Sequence, residues 1–262
     1  MRYGIDIYNG QSDIKLSNVT GSGVTFVIVK ATEGQGLVDK SCDRFIEQAK
    51  ALGLPWGFYH YARNNNGKHD ADYFYRNTKN YFGRGIPVLD FEDPDLLNSG
   101  KAIAYAEDFC SYIYAKSGIY PMIYCSASVC KMFKGSWIPD KCALWMAGYP
   151  RTYTQFVDVD IPYSIAPWKS CAIWQFSGQG RIAGYNGKVD LDRAYITREQ
   201  WNALATGKQI ESKTKDLNIK AACRVILGEY GNGTARKEAL MREGFDYSTV
   251  QGYVNKILEA CE

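Results

Sequence analysis

Short apolar runs rich in β-formers recur along the first three-quarters of the chain, at 3–7, 25–30, 56–61, 86–91, 122–124, 143–147, 172–176 and 185–191. Between the early runs, at 39–52, 69–81, 99–116 and 127–133, the apolar residues change to three- and four-residue spacing, the period of a helix. No other feature constrains the fold as much. Strands that alternate with helices build a parallel sheet with crossover helices. After about residue 135 the strand-like runs follow one another without a full helix between them. The expected fold is α/β: an irregular, TIM-like β/α barrel of about five β/α units and then extra strands.

A second segment begins where the composition turns polar. The run 206–215 holds almost no apolar residue and reads as a linker. Beyond it Ile219, Ala222, Val225 and Ile226, then Leu240, then Val250, Tyr253, Val254, Ile257 and Leu258 keep helical spacing. Gly231-Asn232-Gly233 supplies a turn before a helix capped by Thr234, and Gly244 stops that helix. The expected domains are a catalytic barrel over 1–205, a linker over 206–215 and a small three-helix bundle over 216–262.

Charge and cysteine usage narrow the function classes. The 31 basic and 28 acidic residues are mixed along the chain, so no strong field draws nucleic acid or anionic lipid. The apolar run 24–29 is far short of the roughly 18 residues a membrane helix needs, so no membrane insertion is expected. An acid at Asp6 interrupts any secretory h-region, and the mature protein is expected to start at Met1. The eight cysteines show no CxxC pair and no zinc spacing, and buried thiols rather than a disulfide framework are expected.

In parallel barrels the polar residues at the C-terminal strand ends converge on one rim. The predicted strands deliver there Asp6, Glu33, Tyr59 with His60, Asp90 with Glu92, Tyr124, Trp145, Trp174 with Gln175, and Asp190. Acids above aromatic rings suit a sugar, whose hydroxyls need acceptors and whose C–H face stacks on an indole or phenol. The sharpest element is Asp90-Phe91-Glu92: residues i and i+2 of a strand share a face, so two carboxylates crowd each other. Their repulsion and partial burial raise at least one pKa, as a general acid requires, whereas a solvated pair on an edge strand would do nothing. His60 reads as a substrate contact or as a hydrogen-bonded wall residue, and Lys30 as a neutraliser of nearby acids. Mg²⁺ or Ca²⁺ on the acids is disfavoured because stacking aromatics do not help a hard cation, so no metal is expected.

Six ordered motifs over about residues 1–200 carry a resemblance. They are Tyr3-Gly4-Ile5-Asp6-Ile7-Tyr8-Asn9-Gly10, Val27-Ile28-Val29-Lys30-Ala31-Thr32-Glu33-Gly34, Trp56-Gly57-Phe58-Tyr59-His60-Tyr61, Pro87-Val88-Leu89-Asp90-Phe91-Glu92, Trp174-Gln175-Phe176 and Val189-Asp190-Leu191-Asp192. Together they resemble the family 25 glycoside hydrolases, the lysozymes of phage endolysins and some bacterial autolysins. The resemblance implies Glu92 as acid/base, Asp90 as its carboxylate partner, and Asp6 and Asp190 as supporting acids. Many members carry Asn where this chain has Asp192. Glu33, Tyr59, His60, Tyr124, Trp145, Trp174, Gln175 and Asp192 are then the expected substrate contacts.

The tail is similar to the three-helix cell-wall-binding repeat of certain phage lysozymes, through Leu227-Gly228-Glu229-Tyr230-Gly231-Asn232-Gly233, Arg236-Lys237-Glu238-Ala239-Leu240 and Val254-Asn255-Lys256-Ile257-Leu258. Tyr230, Asn232, Arg236 and Tyr253 are the candidate wall contacts. A single copy gains avidity only if the enzyme forms a homo-oligomer through this domain. The implied activity is a muramidase that cuts the β-1,4 bond between N-acetylmuramic acid and N-acetylglucosamine of peptidoglycan. It is expected to retain configuration with substrate assistance, to need no cofactor, and to be made in a host cytoplasm for holin-dependent release. A chitinase-like hydrolase and an inactive wall-binding barrel are the rival readings.

Overall fold

A computed structural model describes residues 2–63, 65–208 and 213–260. Nine strands are found among them: β1 (Tyr3–Ile7), β2 (Val24–Glu33), β3 (Leu37–Val38), β4 (Trp56–Tyr61), β5 (Ile86–Asp90), β6 (Met122–Ser126), β7 (Leu144–Ala147), β8 (Ile173–Gly180) and β9 (Val189–Ala194). They form one sheet in the order β1-β9-β8-β7-β6-β5-β4-β2-β3, and a further pairing of β1 with β2 closes it into a barrel with only the two-residue β3 outside the ring. Within the ring β1, β2 and β4 through β8 run parallel, whereas β9 is antiparallel to both β8 and β1, and the outlying β3 is antiparallel to β2. One rim therefore collects the C-terminal ends of the parallel strands and the N-terminal end of β9. The expected irregular α/β barrel is the fold observed.

Alternation along each strand sorts side chains into two layers. Phe26, Ile28, Tyr59, Val88, Tyr124, Trp145 and Ile173 pack inside the barrel. Val27, Val29, Phe58, Leu89, Phe91, Ile123, Trp174 and Phe176 pack outside it, in the layer shared with helices Cys42–Ala51, Gly67–Thr78 and Ala102–Ser117. Burying both faces explains why these strands read as nearly continuous apolar runs.

Helix Arg198–Thr206 was not anticipated, although a capping box marks its start: Thr197 accepts from the Gln200 backbone N–H, and the Gln200 side chain accepts from the Thr197 backbone N–H. With only nine residues, its apolar stripe is too short to stand out. Its Trp201 joins the interior layer, with its ring centroid 5.2 Å from that of Phe26. The last strand begins at Val189 rather than at 185, after a bend at 186–187 and a turn at Gly184, whose φ is +92° and where a Cβ would lie 2.2 Å from the Asn18 carbonyl oxygen.

The chain divides into a unit over Met1–Gly207 and a unit over Lys208–Glu262. Of the expected linker, 209–212 lie outside the described residues, and its last three positions are already helical. The second unit holds helices Lys213–Ile226, Gly233–Arg242 and Tyr247–Glu259 around Ala221, Ala222, Val225, Leu240, Val250 and Val254. Its middle helix starts two residues earlier than expected, with Asn232 rather than Thr234 at the N-cap. Six cysteines are buried free thiols, Cys223 is exposed, and Cys261 lies outside the described residues. Among the described residues no helix is long and apolar enough to cross a membrane.

All six tryptophans fall between Trp56 and Trp201, so their fluorescence reports on the barrel alone. Truncating a fully packed indole costs about 3–5 kcal/mol, and Trp201→Ala should lower barrel stability by that amount in urea unfolding followed by fluorescence. Trp201→Phe should cost far less, because the buried Nε1–H has no partner to lose. A loss under about 1 kcal/mol in Trp201→Ala would show that the helix is not part of the core.

Candidate active site

At the rim the strand ends surround a cleft of about 430 Å³. Asp90 is the last residue of β5 and Glu92 lies two beyond it, while Leu89 and Phe91 are wholly buried on the helix side. β5 runs between β4 and β6, so the carboxylate pair does not sit on an edge strand. Asp90 is 7% exposed and its Oδ1 has no hydrogen-bond partner. Burial first, and the Glu92 charge second, hold its pKa well above the usual carboxylate range. Glu92 stands at the open mouth, yet the surrounding protein still raises its pKa, with Lys30 opposing the rise. The two carboxyls titrate as a pair that keeps a proton to higher pH than either would alone.

A second acid group faces them. The antiparallel register of β1 and β9 sets Asp6 opposite Asp190, and Gly4 opposite Asp192 one step deeper. The Gln175 amide N–H donates to Asp6 Oδ2 (2.8 Å), and its carbonyl accepts from the Tyr124 hydroxyl (2.8 Å) and from Tyr149. That set of partners leaves the amide one orientation. Trp145 Nε1–H donates to Asp192 Oδ1 (2.8 Å), and the Trp145 ring meets Tyr124 edge-on at 4.6 Å. Burial raises all three acids: Asp6 and Asp192 well above the usual range, and Asp190 to about 6, with the Glu92 charge adding to the last.

The opposite wall is cationic. Lys30 Nζ donates to Glu33 Oε2 (2.5 Å), and Arg63 donates to Glu33 Oε1 from Nε and to Asp93 Oδ2 from Nη1, each at 2.8 Å. Burial alone would raise Glu33, but Lys30 and Arg63 outweigh it and hold its pKa below the ordinary value. Both cations sit over the Tyr61 ring, Lys30 at 4.9 Å and Arg63 at 4.7 Å from its centroid. Glu33 is thus an ion-paired wall residue with no proton to give at neutral pH.

The cleft brings together nine residues named from the sequence: Asp6, Glu33, Tyr59, Asp90, Glu92, Tyr124, Trp145, Gln175 and Asp190. Three others lie elsewhere. His60 and Trp174 are fully buried on the helix side, because each is the odd neighbour of an inward residue, Tyr59 or Gln175. Asp192 faces inward but lies beneath the cleft, fully buried against Trp145. None of the three lines the cleft. Tyr8, Lys30, Tyr61, Arg63 and Tyr149 also line the cleft and were missed as contacts. Alternation from Tyr59 was signal enough for Tyr61; Arg63 and Tyr149 sit in loops, where no period applies.

In the second unit Tyr230 is a core residue rather than a surface contact. Its ring is buried, and its hydroxyl donates to Glu243 (2.6 Å) and accepts from Arg224 (2.6 Å). Arg236 is half-buried and braces the turn before its helix, donating to Asn232 Oδ1 (2.7 Å) and the Gly231 carbonyl (3.0 Å). Tyr253 is half-buried against the bundle core.

Two carboxyls on one strand end, facing aromatic and hydrogen-bonding walls, form a glycosidase-like cleft, and residues 5–185 match the glycosyl hydrolases family 25. The chain belongs to that family. It is a glycoside hydrolase, and residues 220–258 match the CW_7 repeat. Lysozyme M1 of Streptomyces globisporus is 30% identical over 215 residues, covering 77% of this chain and 70% of that protein. The lysozyme of Streptococcus phage Cp-7 is 24% identical over 257 residues, 90% of this chain and 64% of its own length. Among solved structures, the bacterial lysozyme from Streptomyces coelicolor superposes with TM-score 0.68 at 28% identity, covering 79% of this chain and 98% of that one.

The buried family 25 acids predict a pH signature. A carboxyl whose pKa is raised by folding stabilises the fold fully below about pH 3.9, its unfolded value, and loses that contribution as pH climbs through the folded value. For this cluster the loss runs through about 6 at Asp190, and burial shifts Asp6 and Asp192 in the same direction. Asp192→Asn keeps an acceptor for Trp145 and removes one ionisation. Its fluorescence-detected urea midpoint should therefore rise relative to wild type between about pH 4 and pH 8. A constant difference across that range would show that Asp192 does not titrate with the cluster.

Proposed function

We propose that the cleft hydrolyses the β-1,4 bond between N-acetylmuramic acid and N-acetylglucosamine in peptidoglycan, with retention of configuration. One observation carries the mechanism: Asp90 at the end of β5 and Glu92 two residues beyond it both line the cleft, and Asp90 Oδ1 is buried without a partner. Two residues along a strand span roughly 6.6 Å, and side chains leaving one face cannot straddle a sugar ring as a direct-displacement pair must. The nucleophile is then the substrate's own 2-acetamido oxygen. Glu92 protonates the glycosidic oxygen as the acetamido oxygen attacks the anomeric carbon, and the free Asp90 oxygen accepts the acetamido N–H and stabilises the oxazolinium-like intermediate. Glu92, now a carboxylate, takes a proton from the water that opens the intermediate.

The supporting residues follow from the geometry. Asp6 and Asp190 supply acceptors for sugar hydroxyls, Gln175 fixes Asp6, and Tyr59, Tyr61, Tyr124 and Trp145 offer faces and edges to the rings. Residues 1–205 form the catalytic domain in this reading, and 216–262 hold the enzyme to the wall, with the exposed Asn232 and the half-buried Arg236 beside it the best-placed contacts. The likeness along nearly the whole chain to a phage lysozyme supports a role in phage lysis, with release to the wall through a holin.

Glu92→Gln keeps the shape of the acid but moves no proton. It should slow the clearing of wall suspensions by at least roughly 10²-fold while sedimentation with walls is unchanged. Near-normal clearing would remove Glu92 from the mechanism. A chain ending at Gly207 should cleave soluble wall fragments at the full rate but sediment poorly with intact walls. Equal sedimentation of the short and full chains would show that the tail is not an anchor.

A further inference from the structure

Lys30 and Glu33 both line the cleft, yet they are three residues apart on one strand. In a regular strand an odd separation puts two side chains on opposite faces. The pairing of β2 with β4 shows how both reach the same side: Lys30 stands opposite Tyr59 and Thr32 opposite His60, so Ala31 is an extra residue and the register shifts across it. The inward residues are Lys30 and Glu33, while Ala31 and Thr32 are both wholly buried. An extra residue of this kind re-aims the side chains that follow it.

Thr32 Oγ1 lies 2.8 Å from His60 Nδ1. His60 Nε2 is 3.5 Å from Asp70 Oδ2, which also accepts from the Tyr105 hydroxyl (2.6 Å). With Nε2–H directed at the carboxylate, Nδ1 is the acceptor and the threonine hydroxyl donates to it. The imidazole is stacked on Phe109, with centroids 5.2 Å apart, and Thr32, His60 and Asp70 are all fully buried. The chain of bonds thus runs from the bulge through β4 to helices Gly67–Thr78 and Ala102–Ser117.

We propose that Thr32 and His60 are positioning residues for the hydrolysis: their hydrogen bond, on the far side of the barrel wall, locks the β2 bulge that turns both Lys30 and Glu33 into the cleft. The role rests on the muramidase reading for its catalytic meaning but not for its test. Lys30 is the cation that opposes the rise of Glu92, while Asp90 shares its strand end and Asp190 faces it from β9. Arg63 is engaged by Glu33 and Asp93, and His60 itself meets Asp70 directly and Lys30 and Glu33 across the strand. Loosening the bulge withdraws the Lys30 ammonium and lets Glu92 keep its proton to higher pH.

The test is a carbon-13 NMR titration of the Glu92 carboxyl in the full chain, assigned by its loss in Glu92→Gln. Lys30→Met should raise the Glu92 pKa by about 1 unit, the effect of one nearby cation. Thr32→Val, which keeps the shape and deletes the hydroxyl, should raise it by about half as much, and Thr32→Ser should restore it. In wall hydrolysis the alkaline limb of kcat/KM should move up with the titration. A merely structural role would lower the unfolding midpoint of Thr32→Val and leave both readouts in place, and that result overturns the proposal, as does an unmoved Glu92 in Lys30→Met. If Thr32→Val does not fold, Thr32→Ala carries the same expectation. If the titrations move as expected while wild type cleaves no wall material, the muramidase reading fails and the positioning of Lys30 stands.

Discussion

The hydrogen-bonded return of β9 between β8 and β1 closes the sheet, and the cleft depends on that closure. A parallel strand in this place would present its C-terminal end at the rim and carry Asp190 to the opposite end of the barrel. Running backwards, β9 sets Asp190 against Asp6 and drops Asp192 below them onto the Trp145 indole. Gly4 makes the same region passable, since a Cβ there would lie 2.5 Å from the Phe26 ring. With the ring closed, the protein surrounds the acids of the cleft, and that burial is the first cause of the raised pKa at Asp6, Asp90, Glu92, Asp190 and Asp192.

The cleft is electrostatically divided. On one side, acids crowded by burial hold protons at pH values where free carboxylates are ionised. On the other, Lys30 and Arg63 keep Glu33 ionised and lie across the Tyr61 ring. Glu92 stands between the two regimes and feels both, the property a group needs if it is to donate a proton in one step and accept one in the next. Asp90, deeper and unpaired at Oδ1, is placed to respond to a substrate N–H rather than to solvent.

Much of this was legible in the residues because a strand has a period of two. The strand–helix alternation foretold the barrel, and Asp90-Phe91-Glu92 foretold a shared face. The same period, applied more strictly, would have separated His60 from Tyr59 and Trp174 from Gln175. It fails at the bulge: nothing about Ala31 announces an extra residue, so the joint presentation of Lys30 and Glu33 is visible only in the pairing of β2 with β4. Asp190 and Asp192 share a face, and depth alone separates them, set by a register that β9 acquires from its neighbours. The Thr197 capping box was readable, but the nine-residue helix it starts is defined by Trp201 filling the barrel, a tertiary fact.

Stereochemistry of the first turnover tests the central claim most directly. If Asp90 and Glu92, confined to one side of the sugar, work with a nucleophile supplied by the substrate, proton NMR of the newly released reducing end should show the β anomer before mutarotation. An α anomer in that first product would contradict the account, because it requires a water activated on the face opposite Glu92, where the same-strand pair places no base.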